Sequence, residues 1–120
     1  MKTTNVRFEP GANIPAKAGT DLDAGTLVIV TAGGITPTVA AATAGSIPLG
    51  IVAHEVKQGD LVTVLRGTVV AEAKATGAIA AGANVAAGAN GVAVTAPADT
   101  AVIGIATQAA ANNLVYVAFK

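Results

Sequence analysis

With 120 residues and seven basic against seven acidic side chains, the chain has room for one domain and carries no net charge. Neutrality argues against nucleic-acid binding, which needs a basic patch for counterion release, and equally against an anionic membrane surface as the partner. The absence of cysteine excludes a disulfide framework and a thiolate metal site. The apolar content is unusual: 29 Ala, 16 Val, 14 Thr and 14 Gly stand against two Phe, one Tyr and no Trp. Aromatic side chains bury the most area, so the composition leaves two readings: a small tight core of Val, Ile, Leu and Ala, or a thin interior whose missing burial is supplied by subunit contacts. Mean hydropathy is +0.63, yet no stretch approaches ~18 apolar residues without a Gly, Pro or polar interruption, so no membrane helix is predicted. Apolar surface without net charge makes self-association the default.

Residues 1–18 read as an extended N-terminal arm, followed by a β-barrel domain over 19–120. The arm holds Lys2, Arg7 and Lys17 against Glu9, and Pro10, Gly11, Asn13 and Pro15 are expected to break any regular element there. No apolar run follows its first residues, so no signal peptide is predicted. Within the arm, Val6, Arg7 and Phe8 are the candidate binding residues, because Phe8 is one of only three aromatics in the chain. An aromatic anchor beside a cation suits docking on a neighbouring subunit.

From Gly25 onward the β signal is continuous. Thr26 to Thr31 is a β-branched run closed by Gly33-Gly34, and Ile35 to Val39, Pro48 to Ala53, Leu61 to Arg66 and Gly67 to Ala73 follow between turn residues. Short strands at this spacing predict a barrel or sandwich. The Ala-dense stretch from Ala71 to Ala89 is not predicted as a long helix, since Gly77, Gly82 and Gly88 would each cost about 1 kcal/mol inside one. Short helical turns are predicted only near His54–Gln58 and Thr107–Asn112.

The chain also repeats itself. Ala24-Gly25-Thr26-Leu27-Val28 aligns with Ala81-Gly82-Ala83-Asn84-Val85, and Gly33-Gly34-Ile35-Thr36 with Asn90-Gly91-Val92-Ala93. After a small gap, Pro48-Leu49-Gly50-Ile51-Val52 meets Val102-Ile103-Gly104-Ile105-Ala106. Leu61-Val62-Thr63-Val64 then meets Leu114-Val115-Tyr116-Val117. Each copy pairs a Gly-containing tight turn with an apolar-Gly-apolar strand, which predicts two halves related by a pseudo-two-fold axis within one barrel.

Nothing in the pattern assembles a catalytic site. His54 and Glu55 would point to opposite faces of a strand, and no Ser or Thr is singled out as a nucleophile. Asp21-Leu22-Asp23 has a spacing that could present two carboxylates to Ca²⁺, but no third ligand accompanies them, and local turn hydrogen bonds account for them better. The glycine-rich segments from Gly77 to Gly88 lack the Gly-Lys-Ser/Thr of a phosphate loop. Glu72 and Lys74 share a strand face, where alternating charge blocks edge pairing. No catalytic residue, cofactor or metal is predicted.

The entry Ala24 to Val30, the segment Ile47-Pro48-Leu49-Gly50-Ile51-Val52-Ala53 and the segment Gln58-Gly59-Asp60-Leu61-Val62-Thr63-Val64 together resemble the head decoration, or cement, proteins of bacteriophages. The resemblance covers about residues 19–119. It implies an all-β fold, a small Gly/Ala-rich barrel of the β-tulip or β-clip kind. It further implies a structural role on the outer surface of an icosahedral capsid, as a trimer at three-fold positions, with the major capsid protein as partner and synthesis in the host cytoplasm. Thr76 to Gly91 is more Ala/Gly-rich than the resemblance leads one to expect. The alternative from the residues themselves is a small binding module for carbohydrate or for the tip of a larger assembly; sugar binding would need an aromatic platform, for which only Phe8, Tyr116 and Phe119 are available.

Overall fold

A computed structural model describes residues 13–67, 69–98 and 100–120. The described chain is all-β, with ten strands and one short 3-10 turn. The first five strands are β1 (Ile14–Ala18), β2 (Leu27–Ala32), β3 (Thr38–Ala41), β4 (Gly50–Val52) and β5 (Leu61–Leu65). They close into a barrel in the order β1-β3-β2-β4-β5, with β1 pairing antiparallel to β5 and parallel to β3. The second five are β6 (Val70–Lys74), β7 (Asn84–Ala87), β8 (Ala93–Thr95), β9 (Gly104–Ala106) and β10 (Leu114–Phe119). They form a sheet in the order β6-β10-β9-β7-β8.

The registers prove the repeat. Val28 pairs with Gly50 and Val85 with Gly104; Val52 pairs with Val64 and Ala106 with Val117. The parallel Ala18–Val39 pairing of the first unit recurs as an isolated Ala75–Ala93 bridge in the second. The alignment predicts that the copies share one barrel; they do not, because each pairs its strands chiefly within itself. The three-residue gap also falls inside the β2–β3 hairpin: Val30 pairs with Val39 and Ala87 with Ala93. Thr36 is therefore not the counterpart of Ala93.

Ile14 to Ala18 belong to the first unit, not to an arm. Their burial alternates, with Ile14, Ala16 and Ala18 inward, and Ile14 pairs with Val64. Pro15 is tolerated because β3 reaches only Lys17 and Ala18, which leaves the other side of β1 without a ladder at Pro15. Residues 1–12 lie outside the described residues.

The interior of the first barrel is Ala16, Ala18, Leu22, Val28, Val39, Val52, Val56, Val62 and Val64. Every one has a counterpart in or packed against the second cluster: Ala73, Ala75, Ile79, Val85, Ala93, Ala106, Ala110, Val115 and Val117. That second cluster also takes in Leu27, Ala42 and Ile51, the outward residues of the first barrel. Backbone bonds tie the units together, from Lys74 N to Gly25 O at 2.9 Å, Gly45 N to Ala87 O at 2.9 Å and Gly91 N to Ala42 O at 2.9 Å.

Neither predicted helical turn forms. His54–Gln58 and Thr107–Asn112 are bends and turns, and the 3-10 turn lies instead at Ala89–Gly91 in the β7–β8 hairpin. Asn90 (φ 61) and Gly91 (φ 72) occupy the left-handed region there, as a tight hairpin requires. The Ala-rich middle is β6 and β7, with no long helix.

Candidate functional site

The duplication brings the same segment of each copy to one place. Ile47, Pro48 and Leu49 precede β4, and their counterparts Ala101, Val102 and Ile103 precede β9. The two segments line a cleft of about 300 Å³, closed on its other sides by Leu65, Arg66, Phe119 and Lys120. Local sequence explains the shape. Gly50 and Gly104 open β4 and β9, and a Cβ at Gly104 would meet Ala118 O at 2.5 Å and Val117 Cγ1 at 2.8 Å. A Cβ at Gly50 would likewise run into Leu65 O. Bare backbone at both positions lets β5 lie close against β4 and β10 close against β9.

The cleft is apolar with a cationic rim. Ile47 is 78% exposed, and Arg66 and Lys120 are exposed beside it. No described acidic residue lines the cleft. Residue 13 precedes the Ile14–Val64 pair, so the chain enters β1 at the end of the barrel where β5 delivers Leu65 and Arg66.

A second apolar surface lies on the outside of the second unit. Ile105 pairs with Ala118, Ala118 with Val70, and Tyr116 with Glu72, which sets Ile105, Val70 and Tyr116 on one outward face across β9, β10 and β6. Val70 is 62% exposed, Ile105 49% and Tyr116 41%. The corresponding face of the first barrel, carrying Leu27 and Ile51, is buried against the second unit.

The residues read as possible chemistry fall apart. His54 is exposed, with its Nδ1 3.0 Å from Glu55 O, and Glu55 reaches only Lys57 at 3.9 Å. Asp21 and Asp23 diverge: Asp21 accepts a hydrogen bond from Gln58 N at 2.8 Å, and Asp23 one from Lys74 Nζ at 3.2 Å. These bonds run across the fold, so local turn bonding is not what holds either carboxylate. Among the described residues no three His, Asp or Glu gather as a metal site. Glu72 and Lys74 do lie on β6, an edge of the second sheet. The candidate residues Val6, Arg7 and Phe8 lie outside the described residues. Sequence reading missed the cleft, although the paired Pro48-Leu49-Gly50 and Val102-Ile103-Gly104 segments were its signal.

The described residues thus make a duplicated, Gly-bearing β unit with two exposed apolar surfaces. The chain matches the phage cement protein family over residues 6–120 and belongs to it. Its role is structural, in the phage capsid. No curated protein matches it. Among solved structures it is similar to the head fiber gp8.5 N base of bacteriophage phi29, at 24% identity and a TM-score of 0.78, over 91% of this chain and 93% of that one. The fold is therefore one that a phage head protein also uses.

Proposed function

We propose that this chain binds the outer surface of an icosahedral phage capsid and stabilises the shell without catalysis. Family membership over residues 6–120 carries this reading, and the exposed apolar cleft and outer face supply surfaces for it. The partner is the major capsid protein, with further contacts between copies in a trimer at three-fold positions; neither nucleic acid nor membrane is engaged. The protein is made in the host cytoplasm and ends on the virion. Each copy contributes a patch of standard size, roughly 800 Å² per partner, and many copies together resist pressure that one contact would not.

The arm strengthens the attachment. Val6, Arg7 and Phe8 lie along the shell or a neighbouring subunit, with Arg7 on a carboxylate and Phe8 in an apolar pocket as an anchor of about 2 kcal/mol. Pelleting with undecorated shells tests both parts. The full chain co-sediments; deletion of residues 2–12 leaves melting unchanged and weakens binding at least about tenfold. Undiminished binding by the truncated protein would remove the arm from the interface, and failure of the full chain to pellet would remove the shell.

A second reading, a module at the base or tip of a larger assembly, draws on the likeness to a head fiber base. Carbohydrate binding is disfavoured, since Phe119 packs on the second core and Tyr116 is then the one exposed aromatic among the described residues.

A further inference from the structure

The cleft asks for a ligand that is apolar and anionic, and the chain itself presents one. We infer that the Asp60-Leu61 tip of one copy seats in the Ile47/Val102 cleft of the next, with Asp60 facing Arg66 and Lys120. This inference deepens the proposed trimer by naming the two surfaces that would build it.

Three observations carry it. First, the cleft offers Ile47, Val102 and Phe119 under two cations, with no described acid among its lining residues. Arg66 takes part in no ion pair among the described residues. Second, Leu61 is 67% exposed at the start of β5, and exposed Asp60 precedes it. The three other acids of that end, Asp21, Asp23 and Glu55, hold ion pairs within the chain, whereas Asp60 holds none among the described residues. Lys17, opposite Leu61 in register, is the one cation paired with the tip's strand position. Third, β5 runs from Leu61 to Leu65, so the tip and Arg66 stand at opposite ends of one strand. They cannot meet within a copy. A contact between different surfaces of identical chains is heterologous, and it closes into a ring or continues as a filament. Charge complementarity excludes the arm as the occupant: Lys2 and Arg7 outnumber Glu9, and the cleft is already cationic.

The chain has no cysteine, so disulfide trapping is clean. Two single variants, Leu61→Cys and Ile47→Cys, are each exposed to oxidant alone and as a mixture of the two reduced proteins, both as concentrated free protein and on shells. A heterologous contact gives a mixed disulfide several-fold above either variant alone. Adding Arg66→Glu to both lowers that yield about tenfold, and adding Asp60→Lys as well restores it. Circular dichroism checks that the exposed substitutions leave the fold intact. A mixture that links no better than the separate variants, in both settings, overturns the contact, as does preferential self-linking of either variant. Protein that pellets with shells yet forms no mixed disulfide loses this contact and keeps the capsid reading; the reverse result keeps the contact and loses the shell.

Discussion

The two halves of the molecule share a register and nine core positions, yet only the first closes. In the first barrel β1 zips onto β3 at Lys17 and Ala18, with Val39 buried beneath; in the second, one bridge between Ala75 and Ala93 stands in its place. Three of the nine positions shrink from Val to Ala in the second copy: Val39 to Ala93, Val52 to Ala106 and Val56 to Ala110. The lost volume is made up from outside. Leu27 and Ile51 are fully or almost fully buried in the second cluster, whereas their counterparts Asn84 and Ile105 are exposed. A duplicated unit can thus keep its register while its two copies fill their interiors differently. The cost of a substitution is then set by which copy holds it.

The largest break in this comparison is at the junction. Leu27→Asn removes a fully buried leucine and leaves an amide without partners, an expected loss of about 4 kcal/mol, seen in urea unfolding. Asn84→Leu, the reciprocal change at an exposed site, is expected to shift stability by less than about 0.5 kcal/mol. Equal effects at the two positions would mean that the copies are packed alike.

Gly50→Ala and Gly104→Ala test what the copies have in common. Each new Cβ meets a cross-strand carbonyl, so each should cost about 3 kcal/mol and lower Tm by roughly 10 °C or more. A mild effect at Gly104 alone would show that the second sheet yields where the first does not.

The core swap sharpens the difference. Val39→Ala opens a cavity in the closed barrel and should cost about 2 kcal/mol. Ala93→Val pushes two methyls into space that Leu27 and Ile51 help to fill, and should cost about 1 kcal/mol by overpacking. Stabilisation by Ala93→Val would show that the second core is underfilled.

The smallest effect belongs to the one ion pair between the units among the described residues. Asp23 and Lys74 stand 3.2 Å apart with the Asp23 side chain largely exposed. Asp23→Ala should therefore cost under about 0.5 kcal/mol and less still at high salt. A loss several times larger would mean that charge, not apolar packing, holds the units together.

Much of this was legible in the residues. Alternating Val and Thr punctuated by Gly predicts short strands and rejects the Ala-rich helix, because backbone propensity and turn chemistry are local. The order of the four repeated blocks is likewise local text, and the Gly50/Gly104 equivalence follows from it. β1 escaped because Pro10, Gly11, Asn13 and Pro15 mark a breaker-rich segment. The match of Ala16-Lys17-Ala18 to Ala73-Lys74-Ala75 was its only trace, and the tolerance of Pro15 depends on how far β3 extends.

Sequence alone determined most of the strands, the Gly-based turns and the duplication, since each rests on near neighbours in the chain. Tertiary structure alone decided that the copies form two sheets and that only one closes. It also decided that Leu27 is core while Asn84 is surface, and that the two apolar segments meet in a cationic cleft. Those outcomes depend on which face of one unit covers the other, and a period of two along a strand marks both faces without saying which will find a partner.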